Sequence, residues 1–304
     1  MGSSNASSYM KICLYTTVAL LAFAGNSVLC RLALGENTID AASFTAIRLF
    51  SGIVFLAIIL KVTTAGETVS SKGSWTASLM LFIYAITFSF AYISLETGTG
   101  ALILFGSVQI TMILTGLSLG NRLHIVEWLG VLIAFTGFVY LLMPGLGAPS
   151  LQGFVLMSVA GIAWGYYTLA GKGSKNPLRD TAYNFYRTLP LVFILIALTF
   201  QHAALSQKGV VLAVLSGGIA SGVGYTIWYM ALRGLSGTQA AVVQLLVPVI
   251  AAMGGVLFTN EIFSLRMALS ALLILGGILV VVLGKHYFDQ AVTRQTEQAK
   301  ARDT

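Results

Sequence analysis

The sequence predicts an all-α polytopic membrane protein, with ten transmembrane helices arranged as two inverted five-helix repeats. Three observations carry this reading. Of 304 residues, 57% are hydrophobic and only 9% charged, whereas a soluble domain carries about 25% charged residues. Apolar runs of the roughly 20 residues that a helix needs to cross a bilayer recur with short polar breaks. The two halves can also be laid over each other at an offset of about 140 residues.

The first span, 11–34, exceeds a signal-peptide core of roughly 7–15 residues and no small-residue cleavage site follows it, so it reads as a retained helix. The others follow at 41–61, 74–95, 99–119, 126–143, 151–171, 179–201, 208–232, 238–258 and 265–285. No break between them exceeds about a dozen residues, which leaves no room for a soluble catalytic or nucleotide-binding domain. A Ser-rich head, "MGSSNASS", and a polar tail from Phe288 flank the spans. The head fails the myristoylation pattern at Ala6. Cys13 and Cys30 share one helix about 25 Å apart, too far for a disulfide.

The landmarks of the repeat keep their order. Gly25 meets Gly165, Asp40 meets Asp180, and Arg48 meets Arg187 after a one-residue slip; Tyr92 meets Tyr229, "LGNRL" at 119–123 meets "TNEIF" at 259–263, and Gly137 meets Gly277. This divides the chain into a first repeat at 1–145, a second at 146–287 and a tail at 288–304. Five spans per copy is odd, so the second copy enters the membrane from the opposite side, an arrangement typical of secondary transporters.

The net charge of +7 does not mark a nucleic-acid binder, because the cations are dispersed among loops and form no basic face. Their distribution orients the chain. With the N-terminus inside, twelve Lys and Arg fall on cytoplasmic segments and three outside, so the positive-inside rule places both termini in the cytoplasm.

Ten spans, the "WG" of Trp164 and Gly165, an arginine early in the second span of each half, Pro248 in "LLVPVIAAMGG" and the "NE" of Asn260 and Glu261 together resemble the drug/metabolite transporter (DMT) superfamily, EamA family. Within it the chain resembles bacterial amino-acid exporters of the YddG type. The resemblance covers residues 11–285 and implies a multi-pass transporter of a bacterial inner membrane, working by alternating access on aromatic and other neutral amino acids. Ala24 stands where the second half has Trp164, and Asn121 where many relatives have glutamate.

An arginine facing lipid at mid-helix depth costs at least about 2.5–3.5 kcal/mol, so Arg48 and Arg187 must face protein or a water-filled cavity. Two roles fit: attraction of a substrate carboxylate, or pinning of the scaffold near each face with the guanidinium donors bonded internally. Pinning is the expectation. All ten acidic residues and the three histidines fall in loops, tails or helix ends, and no proton-relay carboxylate is evident within the spans. Transport is therefore expected to run down the gradient of its cargo.

Buried amides and hydroxyls need partners or water. Asn26, Ser27, Ser107, Gln109, Thr111 and Gln244, with the aromatics Tyr84, Tyr92, Trp164, Tyr167, Tyr225 and Trp228, are the candidate cavity lining for a small amphipathic substrate. Gly218 and Gly222 form a small-xxx-small pair suited to close helix approach. Pro248 removes a backbone hydrogen bond and is expected to kink the ninth span near Gln244.

Several chemistries are excluded. "GYYTLAGKGS" has five residues between glycines where a phosphate loop needs four, and Gly173 replaces its Ser/Thr; "TGTGALI" breaks the dinucleotide fingerprint at Ile103. Three loop histidines and two cysteines make no buried zinc site. No cofactor, metal, catalytic group or nucleic-acid partner is expected. The partners are a small-molecule substrate and the lipid bilayer, with the oligomeric state left open. A nucleotide-sugar or phosphorylated-metabolite carrier of the same fold is the alternative, and a membrane-embedded scaffold without transport the alternative from another class.

Overall fold

A computed structural model of the chain describes residues 2–63, 72–120, 123–145, 148–171, 174–235 and 237–302. Asn121, Arg122, Lys172, Gly173 and the repeat boundary at 146 lie outside the described residues. Peptide groups in hydrocarbon find no water, so a chain crosses as helices or as a closed barrel. This one crosses as helices: α1 (Gly2–Gly35), α2 (Ala41–Thr63), α3 (Trp75–Ala91), α4 (Thr97–Ser118), α5 (Ile125–Leu142), α6 (Leu151–Gly171), α7 (Pro177–Arg187), α8 (Leu189–Thr199), α9 (Gln207–Val214), α10 (Gly224–Leu232), α11 (Gly237–Gln244), α12 (Leu246–Phe258) and α13 (Leu265–Arg302). A π-helical segment, Leu215–Val223, joins α9 to α10.

Among the described residues, nine apolar stretches are long enough to cross a membrane, and α3 is a tenth, shorter one. The protein is thus an all-α polytopic membrane protein. Large apolar side chains such as Leu132, Phe135, Leu198 and Leu272 are exposed on its flanks, a surface suited to lipid tails.

Three elements differ from the expected spans. α3 ends at Ala91, short of 95, because Arg31 Nη1 draws the carbonyls of Tyr92 and Ile93 to 3.1 and 3.2 Å and supplies donors that the helix end lacks. The seventh span is broken between α7 and α8: Pro190 has no N–H for the carbonyl of Tyr186, and Thr188 turns its hydroxyl onto the carbonyl of Phe185 at 2.6 Å. The polar tail continues α13 as helix to Arg302.

The ninth span is broken as expected. Pro248 has no N–H to offer the Gln244 carbonyl, and α11 stops there before α12 resumes at Leu246.

Glycines set the closest contacts. A Cβ at Gly277 would stand 2.5 Å from the Ala134 nitrogen and from the Gly130 carbonyl, so only a glycine lets α13 lie this close to α5. In the π-helical segment the close approach falls on Gly217, where a Cβ would sit 1.9 Å from the Arg48 carbonyl oxygen on α2, and on Gly218, which presses on the Phe55 ring. This corrects the expectation for Gly222, whose added Cβ would meet only ordinary contacts from 3.5 Å. Gly217→Ala is therefore expected to lower the thermal midpoint of the purified protein by the equivalent of about 1–3 kcal/mol, the usual cost of overpacking. Gly222→Ala should leave it nearly unchanged; equal shifts would refute this account.

Both ends of the bundle are tied. At the end remote from the termini, Asp40 accepts from the Ala204 nitrogen at 3.0 Å, Thr38 accepts from the Ser206 nitrogen, and Lys208 pairs with Glu36. Burial pushes the Asp40 carboxyl up, but hydrogen bonds from Ser43, Ala204 and Ala42 outweigh it and hold the group below the usual carboxylate range. At the end carrying the termini, Asp180 accepts from the Gly73 nitrogen at 2.8 Å and Asn184 from the Ser74 nitrogen at 2.9 Å. The pattern is reciprocal: Asp40, just before α2, holds the loop entering α9, and Asp180, in the first turn of α7, holds the loop entering α3.

Candidate functional site

The helical period places Phe23, Asn26 and Ser27 on one face of α1 and Tyr84 and Phe88 on one face of α3. With Leu104 and Phe105 from α4, Trp164 from α6 and Tyr225 from α10, they line a cavity at the centre of the bundle. Aromatic rings pack its walls. Trp164 is the hub, with ring centres at 4.8 Å from Tyr84, 5.0 Å from Tyr225 and 5.3 Å from Tyr167. Phe23 packs edge-on to Tyr225 at 5.8 Å and to Trp228 at 5.7 Å. The space left is about 20 Å³, room for one water molecule. The walls have closed on each other in this state.

A chain of buried polar groups runs along the cavity. Ser216 donates to Asn26 Oδ1 at 2.6 Å, Asn26 Nδ2 reaches the Tyr84 hydroxyl at 3.4 Å, and Arg48 Nη2 donates to the same hydroxyl at 2.9 Å. Four elements meet there: the π-helical segment, α1, α3 and α2. π-Helical turns are rare and gather at functional sites, and this one brings Ser216 to Asn26 on the cavity wall.

Five of the twelve proposed lining residues, Asn26, Ser27, Tyr84, Trp164 and Tyr225, form its wall. Tyr167, Trp228 and Tyr92 stand one ring behind; Tyr92, fully buried, packs on Phe88 and donates to the Thr97 carbonyl at 3.2 Å at the end of α3. The remaining four sit elsewhere. Ser107 and Thr111 face α6, where Gly161 and Gly165 accommodate them, and Thr111 turns its hydroxyl onto the Ser107 carbonyl. Gln109 and Gln244 are buried away from the cavity. Thr111 needs no cavity, because a hydroxyl one turn along from a carbonyl bonds it within the helix, whereas the buried Gln109 Nε2 has no hydrogen-bond partner.

The arginines divide. Arg187 donates to the Lys72 carbonyl and lies 5.4 Å over the Trp75 ring, tying α7 to the loop before α3. Arg48 corrects the expectation that its donors are all bonded internally. It is 2% exposed, its Nη1 has no hydrogen-bond partner, and its guanidinium stacks 5.1 and 4.9 Å from the ring centres of Tyr84 and Phe88, both walls of the cavity.

Sequence reading missed Ser216, Phe23, Phe88, Leu104 and Phe105. Phe23 and Phe88 had a signal, since each lies one turn from a candidate, Asn26 and Tyr84. Ser216 had a weaker one, a lone hydroxyl before the glycines of "LSGG". Leu104 and Phe105 had none in an apolar run. Wider hollows of about 500 Å³ beside Ala57 and Tyr183 and about 350 Å³ beside Met253 open on the flank, and the second is wholly apolar.

A helical bundle that exposes apolar side chains to lipid and encloses a polar–aromatic cavity between tied ends has the architecture of a membrane transporter. Residues 151–283 match the EamA-like transporter family. The chain is 47% identical over 269 residues to the uncharacterized protein PA1977 of Pseudomonas aeruginosa, covering 88% of this chain and 93% of that one. It is 26% identical over 288 residues to an uncharacterized transporter of Archaeoglobus fulgidus, covering 90% and 98%. To a protein of Escherichia coli named a probable amino-acid metabolite efflux pump it is 25% identical over 229 residues, covering 67% and 77%. A solved crystal structure with 17% identity shares the fold at a TM-score of 0.61, over 88% of this chain and 98% of that one. The protein belongs to the EamA-like transporter family.

Proposed function

We propose that this transporter exports small amphipathic metabolites, above all aromatic and other neutral amino acids, across a bacterial inner membrane, with both termini in the cytoplasm. The observation that carries the reading is the central cavity, where rings able to hold an apolar side chain surround amide and hydroxyl groups able to meet a polar backbone. Among the described residues no carboxylate lines it, which favours transport down the cargo's own gradient over proton coupling. The printed name of the Escherichia coli relative points to the same class of cargo.

Two halves, 1–145 and 146–287, exchange access by tilting against each other. The reciprocal aspartate ties support this, because an element and its inverted copy would each hold the other half's third span. Opening one end means releasing one set of ties while the other set stays closed. The cavity then widens toward the roughly 300–1,000 Å³ of small-molecule sites.

Counterflow in liposomes of the purified protein tests the reading. Labelled phenylalanine and tryptophan, with threonine and UDP-glucose alongside and no ion gradient, are expected to show uptake of the amino acids only. Uptake of UDP-glucose in their place would replace this reading with a nucleotide-sugar carrier. Uptake that appears only with an imposed proton gradient would remove the uncoupled mechanism.

A further inference from the structure

We infer that Arg48 is the carboxylate receptor of the central cavity, so that the site selects its cargo by a carboxylate attached to an apolar or aromatic body and not by an amino group. The inference rests on the reading that the cavity is where cargo binds.

Arg48 is almost wholly buried within a span, yet it takes part in neither of the ion pairs found among the described residues, which join Arg31 to Glu261 and Lys208 to Glu36. A buried guanidinium without an anion is a large electrostatic debt in a medium of low polarity. The rings of Tyr84 and Phe88 and one hydroxyl offset part of it, since a cation is drawn to a ring face. They leave Nη1 without a partner. The hydroxyl that Nη2 meets belongs to a cavity wall, and Asn26, another wall residue, points to the same oxygen. The guanidinium edge thus lies one hydroxyl away from the cavity. When the walls part, its planar fork matches a carboxylate in two parallel hydrogen bonds, one from the free Nη1 and one from the Nη2 now held by Tyr84.

An ammonium finds no carboxylate among the residues that line the cavity. The amide and hydroxyl groups accept from it but carry no charge, and two of the ring faces that would draw it, Tyr84 and Phe88, already face the Arg48 guanidinium. The site therefore favours 3-phenylpropanoate, which keeps the carboxylate and lacks the amine, over phenethylamine or phenylalaninamide, which lack the carboxylate.

The test is competition against counterflow of labelled phenylalanine by these three compounds, first in the wild type. Competition by 3-phenylpropanoate at least tenfold stronger than by phenethylamine or phenylalaninamide is expected; equal competition by all three overturns the inference and leaves the amino-acid reading intact. If phenylalanine itself is not carried, binding of the same compounds is followed as quenching of tryptophan fluorescence. Selective binding of 3-phenylpropanoate there keeps the inference and removes the amino-acid reading, and binding by none removes both. In Arg48→Gln the preference for carboxylates is expected to vanish. Arg48→Lys, which keeps the charge and loses the fork, is expected to weaken phenylalanine and 3-phenylpropanoate in parallel while phenethylamine is unchanged. A structural role alone would weaken all the compounds together, and that result would refute the assignment.

Discussion

Trp164→Ala is expected to reduce counterflow at least about tenfold and to destabilise the fold by about 3 kcal/mol, the low end of the range for removing a large aromatic from a core, because its ring is only partly buried. Trp164 joins Tyr84, Tyr225 and Tyr167, with ring centres at 4.8, 5.0 and 5.3 Å, and each such pair contributes about 0.5–1.5 kcal/mol beyond the area it buries. Its loss also removes one wall of the cavity and frees Tyr84, whose hydroxyl holds both Asn26 and Arg48. Trp164→Phe should recover much of the stability, because a ring still fills the gap, and only part of the transport. Trp128→Ala is the control, since that residue is exposed on the flank and should change stability by no more than about 0.5 kcal/mol. Equal loss in the two alanine variants, read from thermal midpoint and counterflow rate, would show that the ring cluster has no special part.

Glu261→Ala is the second large effect, expected at about 2–3 kcal/mol. Asn260 adopts φ 54°, a left-handed conformation that asparagine tolerates, and this turn brings Glu261 back over the start of α4. There its carboxylate accepts from the Thr97 nitrogen at 2.9 and 2.8 Å and from the Thr97 hydroxyl at 3.0 Å. Arg31 Nε reaches it at 3.3 Å, with the side chains 22% and 11% exposed. Removing one member of a buried pair costs about 3–5 kcal/mol, and the partial exposure here lowers that figure. Three functions go at once: the anion at a helix N-terminus, the partner of Arg31, and the alignment of Arg31 with the end of α3. Glu261→Gln keeps an acceptor for Thr97 and should lose about half as much. A midpoint unmoved by Glu261→Ala would mean that α1, α4 and the loop before α13 are held by packing alone.

Much of the fold was legible because the bilayer imposes it. A span must be apolar for about 20 residues and must satisfy its own backbone, so the run from Ala41 to Lys61 announces a helix whatever its neighbours are. Pro248 was legible for an equally local reason, since the missing N–H belongs to the residue itself. The end of α3 was not, because the groups that stop it come from Arg31, sixty residues away in the chain. Gly217 and Gly222 look alike in sequence, and only the position of the Arg48 carbonyl separates them.

The site follows the same division. By itself the sequence determined the class of protein, the course of most of its apolar spans and the supply of polar and aromatic residues within them, because these depend on transfer from water to hydrocarbon, residue by residue. Which of those residues face one another was decided by the tertiary structure. Asn26, Tyr84, Trp164 and Tyr225 meet at the cavity while Tyr92, Gln109 and Gln244 do not, since helix rotation and the π-helical turn at Leu215–Val223 set the direction of each side chain. Arg48 shows the difference most plainly. Its sequence position required that it avoid lipid, but only the packing of α1, α2, α3 and the π-helical segment set its guanidinium against Tyr84 and Phe88, two walls of the cavity, because the partner of a buried charge is fixed by distance in space and not by spacing along the chain.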